Sequence, residues 1–192
     1  VKSLNCVFYT HQHADQTHGI NDLRYFYLKN RKPIPVYANK NTSKFLLNSF
    51  KYCFKKTSDF YPPIMSLKKL KKKHNFLKNK VSIKSFEVDH GSIKSVCYIV
   101  NNKLAYASDV SFINKKNYSN ISNLKYFVID CLREESHPSH YNLNEILKLI
   151  KEIKPKYTIL TNLHSSLDYD KLKKKLPKFV YPAFDGMKLV IN

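Results

Sequence analysis

The stretch Tyr9-Thr10-His11-Gln12-His13-Ala14-Asp15-Gln16-Thr17-His18-Gly19 constrains this chain more than any other. Three histidines and an aspartate fall close together, directly after the β-like apolar run Leu4-Asn5-Cys6-Val7-Phe8-Tyr9. Neutral imidazoles and carboxylates are the donors that zinc and similar divalent ions take. Two histidines at i, i+2 on a tight strand-to-loop turn can face one ion, and an aspartate two residues further on can reach a second position. His and Asp are also ordinary loop residues, and a lone His-x-His arises readily by chance. A following Asp at this spacing, straight after an apolar strand, is much rarer.

At 192 residues the chain can bury a sizeable core, and with no composition break or internal repeat it reads as one domain, 1–192. It opens on Val1 and runs straight into a strand, so the natural start is expected to lie upstream. No run is apolar enough to span a bilayer and no signal-peptide pattern is visible, so a cytoplasmic protein without membrane contact is expected. The net charge of +20 and pI of about 9.7 suggest a nucleic-acid partner. The cations are nearly all Lys, with Arg only at Arg24, Arg31 and Arg133, whereas a phosphate-binding surface favours the bidentate guanidinium. Runs such as Lys71-Lys72-Lys73 and Lys173-Lys174-Lys175 therefore read as solvated faces, and nucleic acid stays open without being favoured. Cys6, Cys53, Cys97 and Cys131 form no Cys-x-x-Cys pair and are read as free thiols in a reducing compartment.

Hydrophobic periodicity predicts helices over 19–30, 42–50, 142–154 and 168–176. Strands are expected at 34–38, 64–70, 81–88, 95–100, 103–108, 126–130, 157–161 and 188–191, with Asn101-Asn102 as a hairpin turn. Residues 51–63 read as an irregular aromatic loop, like a lid. The mixture is α/β. His11, His90, Asp109, Asp130 and His164 each fall at or just past the C-terminal end of a predicted strand, where side chains from several strands can converge.

The ordered set His11-Gln12-His13-Ala14-Asp15-Gln16, Asp89-His90-Gly91, Ser108-Asp109 and His164 resembles the metal motifs of the metallo-β-lactamase fold. Further stretches are similar to a narrower branch, the phosphodiesterases related to phosphoribosyl 1,2-cyclic phosphate phosphodiesterase. These are Gly19-Ile20-Asn21-Asp22-Leu23-Arg24, Asp130-Cys131-Leu132-Arg133, His137-Pro138-Ser139-His140, Leu160-Thr161-Asn162-Leu163-His164, Leu167-Asp168-Tyr169 and Asp185-Gly186-Met187. The resemblance implies a four-layer αβ/βα sandwich with a dinuclear metal site on one edge. In that family several strands precede the first metal motif, so the chain reads as a fragment lacking N-terminal strands, with Leu4–Tyr9 deprived of neighbours.

Carried over by the resemblance, His11, His13 and His90 are ligands of the first metal, Asp15 and His164 of the second, and Asp109 bridges both. The metals are expected to be Zn2+, with Mn2+ as the alternative. A water shared by two cations loses its proton near neutral pH and becomes a nucleophile, and Asp15 can orient it. Gln16 departs from the pattern, which has histidine there. An amide oxygen is a weak zinc donor, so the second site is weakened, shifted to a harder ion, or inactive. His18 is read as the start of the helix and not as a substitute ligand. On the later loop the resemblance makes His140 the general acid, with His137 an ordinary loop residue. His74 reads as a surface residue, Arg24 and Arg133 as structural ion-pair partners, and Asp130 as a group orienting a ligand histidine.

The expected function is metal-dependent hydrolysis of a small cyclic or sugar phosphodiester by a metal-bound hydroxide, with Asp15 and His140 catalytic; a homodimer is compatible with this. The alternatives are an RNA-processing nuclease of the same fold, or a non-catalytic member that binds metal or phosphate because of Gln16.

Overall fold

Residues 34–38 alternate apolar side chains with a proline and a tyrosine, and they form the middle strand of a small parallel sheet. Its order is β1 (Val7–Phe8), β2 (Ile34–Ala38), β3 (Met65–Lys69). The computed structural model describes residues 2–76 and 80–191. Its backbone divides into two compact units, Val1–Leu70 and Lys71–Asn192. In the first unit Ile34, Val36 and Ala38 of β2 are buried, and Phe8 stacks on Tyr37 across the β1–β2 pair. Tyr9, Ile20, Val36, Leu46, Phe50, Cys53, Ile64 and Met65 make its core.

Three local expectations change here. Residues 19–30 are not one helix: a 3-10 segment, His18–Leu23, precedes α2 (Arg24–Asn30), after the short α1 (Ala14–Thr17). The helix expected over 42–50 starts earlier, at Lys40. Asn39 caps α3 (Lys40–Ser49) by accepting the Thr42 N–H at 2.9 Å. The expected loop at 51–63 begins with a helical turn, α4 (Lys51–Phe54), because Cys53 is fully buried in the core. Phe60 and Tyr61 beyond it are exposed.

The second unit is a seven-stranded sheet in the order β10-β9-β8-β7-β6-β5-β4. Strands β5 (Val81–His90), β6 (Ile93–Val100) and β7 (Leu104–Ala107) form an antiparallel meander. Asn101 and Asn102 both take positive φ, 52° and 51°, as the expected hairpin turn requires. From β7 onward, β8 (Tyr126–Asp130), β9 (Tyr157–Thr161) and β10 (Val180–Pro182) run parallel, with α5 (Tyr118–Ile121), α6 (Leu143–Ile153) and α7 (Tyr169–Lys175) in the connections. Helix α6 carries a capping box: Asn142 accepts the Glu145 N–H at 3.0 Å and Glu145 accepts the Asn142 N–H at 2.9 Å. Its Ile146, Ile150 and Ile153 share one core with Phe127, Ile129 and Leu160 of the sheet.

Two strand expectations are corrected. Lys73–Phe76, where no strand was expected, is the edge strand β4 paired with β5. Residues 188–191 form no strand; β9 already has β10 on that side, and Val190 is 57% exposed. The cysteines are free thiols as expected, with Cys53, Cys97 and Cys131 buried. Burial pushes the Cys131 thiol up to about 12, helped by the charge of Asp130, so the free thiol stays protonated near neutral pH. Among the described residues no helix is long and apolar enough to cross a membrane.

Candidate metal centre

In the second unit β5 and β7 run the same way, being separated by one antiparallel strand, and β7, β8 and β9 are parallel. Their C-terminal ends therefore share one edge of the sheet, which gathers His90, Asp109, Asp130 and Asn162 from distant parts of the sequence. His90 is buried, and its Nδ1 lies 2.6 Å from the Ser139 carbonyl. A carbonyl only accepts, so Nδ1 carries the proton and the Nε2 lone pair points the other way. That Nε2 faces Asp109 Oδ2 at 3.7 Å. The gap is too long for a hydrogen bond, and close to the roughly 3.4 Å between two donors on one tetrahedral zinc with bonds near 2.1 Å.

Asp109 is buried at φ +51°, in the left-handed region that Asp and Asn tolerate better than most residues. Its Oδ1 accepts from Ser108 Oγ at 2.9 Å and from Asn162 Nδ2 at 2.7 Å, while Oδ2 faces His90. Asn162 is itself at φ +60°. Ser139, Ser108 and Asn162 thus hold the two ligand candidates in place, and the sequence reading assigned a role to none of them. All three lie inside motifs that carry the resemblance, but the Ser139 contact uses a carbonyl, which leaves no sequence signal. The donor set fits a divalent ion: a neutral imidazole with a fixed tautomer beside an anchored carboxylate.

Asp130 is buried and does not orient a ligand histidine, as expected, but His140. Its Oδ2 accepts from His140 Nδ1 at 2.5 Å and from the Val110 N–H at 3.1 Å. Burial pushes the Asp130 carboxyl up against these two hydrogen bonds. Burial by itself would lower the His140 pKa, but the Asp130 hydrogen bond and charge outweigh it and raise it. The imidazolium is thereby favoured, the form able to release a proton from Nε2 while Nδ1–H stays on Asp130. The His140 ring lies against His90 and His137, with centroids at 4.8 and 4.9 Å. His137 is occupied locally, its Nδ1 accepting the Ser139 N–H at 3.3 Å.

His164, past the end of β9, is exposed. Its Nδ1 accepts the Ser166 N–H at 3.2 Å, with Ser166 Oγ at 3.0 Å. A backbone N–H only donates, so the neutral ring carries its proton on Nε2, and this arrangement does not offer Nε2 to an ion.

In the first unit the chain leaves β1 through buried Tyr9, Thr10 and His11 to exposed His13 and Asp15. The His11 and His13 rings meet edge to face at 4.7 Å between centroids. The turn is tied by the Gln16 N–H and Thr17 Oγ1, which both donate to the His13 carbonyl, at 3.1 and 2.9 Å. Thr10 Oγ1 lies 3.1 Å from His11 Nδ1, and Gln16 Nε2 donates to Asp15 Oδ2 at 2.8 Å. His18 packs on Phe50 instead of joining the donors. Arg24 lies over the Tyr61 ring at 5.5 Å. Of the acidic residues near Arg133 in sequence, Asp130 is engaged by His140 and Glu134 by Lys175. His74, expected at the surface, is half-buried in β4 and accepts the Lys71 N–H.

The model of the β-lactamase superfamily domain matches residues 1–162. A curated octanoyltransferase from Porphyromonas gingivalis (strain ATCC BAA-308 / W83) is 24% identical over all of this chain, which spans 39% of that protein's length. Among solved structures, a diphosphatase from the PhnP family superposes with a TM-score of 0.88 at 24% identity, over 100% of this chain and 73% of that one. The short form of human tRNase Z gives 0.71 at 16% identity, over 98% and 79%.

Proposed function

Because the chain belongs to the β-lactamase superfamily and has the metallo-β-lactamase fold, we propose that it is a metal-dependent hydrolase of phosphodiesters, acting on a small cyclic or sugar phosphate. The observation that carries this reading is the anchored pair His90 Nε2 and Asp109 Oδ2, separated by the span of one ion's coordination shell. His90 and Asp109 would hold that ion, and His11 and His13 are the donors that the turn of the first unit presents. When bound, a divalent cation polarises a phosphoryl oxygen and makes a coordinated water acidic. His140, held by Asp130 through Nδ1, is suited to deliver the Nε2 proton to the departing oxygen. Asp15 is suited to accept and steer the proton of the attacking water. Asp15 and His164 remain the candidates for a second ion, Zn2+ or Mn2+, but Gln16 replaces a donor there and the His164 tautomer opposes it.

The likeness to a diphosphatase of the PhnP family favours phosphoryl chemistry. The test is hydrolysis of cyclic phosphates and bis-p-nitrophenyl phosphate by the zinc- or manganese-loaded protein. Turnover that chelation removes and metal restores is expected; no turnover with either ion sinks the proposal. A second reading, RNA cleavage, is favoured by the +20 charge together with the likeness to human tRNase Z. It requires tRNA binding that weakens steeply with salt. If Gln16→His both adds a second ion and raises turnover strongly, the natural protein is an impaired, largely binding member.

A further inference from the structure

The hydrogen bonds around Gln16 run in one chemical direction. Asp15 is a carboxylate and only accepts, so the contact at 2.8 Å must come from the Gln16 NH2. That fixes the amide orientation and leaves Oε1 on the other side, where Thr10 Oγ1 lies 3.4 Å away. An amide oxygen only accepts, so the Thr10 hydroxyl proton is directed to Gln16. The oxygen of Thr10 is then the acceptor in its 3.1 Å contact with His11 Nδ1. His11 therefore carries its proton on Nδ1 and its lone pair on Nε2, the tautomer that ligation through Nε2 demands.

We propose that Gln16 is a positioning residue: through one directional chain, His11 to Thr10 to Gln16 to Asp15, it fixes the His11 tautomer and clamps the Asp15 carboxylate. It acts through its neighbours and not as a metal ligand, so the chain binds one ion tightly. The amide is the group that fits this place. It offers a donor to Asp15 and an acceptor to Thr10 at once. Glu at 16 would set a second carboxylate against Asp15, and an apolar side chain would leave Asp15 loose and the Thr10 hydroxyl undirected. The inference rests on the proposed role of His11 as ligand, but the tautomer is a property of the protein without metal. Its failure is therefore distinguishable from failure of the metal reading.

The test has two arms, both on the folded protein with its fold checked by circular dichroism. In metal-free protein, long-range 1H–15N correlation of the imidazoles should show His11 protonated at Nδ1. In Thr10→Val the Nε2-protonated form should appear, and Thr10→Ser should restore the original spectrum. In zinc titrations, wild type should take up one tight equivalent. Gln16→Ala and Gln16→Glu should lose about 10–100-fold in affinity, the range for residues that orient ligands. An unchanged His11 spectrum in Thr10→Val, or zinc affinity unaltered in both Gln16 variants, overturns the proposal. So does a second tight zinc equivalent that disappears with Gln16→Ala, because Gln16 would then be a ligand. Failure of wild type to bind zinc with the tautomer shift intact overturns the metal reading and leaves the relay standing.

Discussion

The two sets of candidate ligands, one in each unit, are built on opposite plans. In the first unit, Thr10, His11, His13, Asp15 and Gln16 lie within seven consecutive residues, and their hydrogen bonds run between near neighbours. In the second, His90, Asp109, Asp130, Ser139, His140 and Asn162 come from separate strand ends and one loop, and the bonds joining them span 10 to 53 residues. The contiguous half depends on a turn of a few residues. The dispersed half depends on the whole sheet, because strand register decides which side chains reach the edge. A local error damages the first; a packing error far away can damage the second.

Loss of a ligand should have the largest effect and is the sharpest test of the two ligand sets. His11→Ala and His90→Ala should each weaken zinc binding, measured by competition with a chelating dye, by more than about 100-fold, beyond the cost of changing an outer residue. A large effect for one and none for the other would show that only that set holds zinc. His140→Ala should come next and should separate chemistry from binding. The kcat on a phosphodiester should fall about 10²–10³-fold, within the range for a general acid, with zinc affinity unmoved; a parallel loss of zinc would make His140 part of the ion's support instead.

Asn162→Gly is a gentler probe of the dispersed half, since glycine keeps the positive φ and removes only the amide that holds Asp109 Oδ1. Zinc affinity should fall about tenfold, while zinc affinity equal to wild type would show that Ser108 holds the carboxylate by itself. Smallest of all should be Gly91→Ala. Gly91 sits at φ +56° and an added Cβ would lie 2.9 Å from the Ser139 Cβ. The expected cost is about 1–3 kcal/mol of stability, read as a lower melting temperature in chemical or thermal unfolding. A companion shift of the His90 imidazole signal would report displacement of the Ser139 carbonyl.

The same contrast decides what the sequence could reveal. The first half was legible at sight, because its donors are neighbours and their spacing is itself the signal. In the second unit His90 and Asp109 were marked by their place at the ends of predicted strands, and His140 was reached only through a resemblance to a known family. Asn162, Ser108 and Ser139 stayed hidden, since a register-dependent contact or a backbone carbonyl leaves no mark in residue type. Central strands such as 126–130 and 157–161 were read to the residue, because burial on both faces makes them continuously apolar. Strand β4 was missed for the opposite reason. An edge strand pairs on one side only, so solvent admits the Lys73 that would be costly within the sheet.

Asp109 and Asn162 carry a further consequence. Both hold the backbone in a conformation that few residues other than glycine adopt with ease, and Asp and Asn are prominent among those few. At these two positions the turn would favour the same two side chains even in a descendant that had lost every trace of catalysis. Their persistence along a lineage therefore says little about whether the reaction is still under selection. His90 and His140, whose backbones are free of that demand, are the better witnesses: drift should reach them first once the chemistry is abandoned.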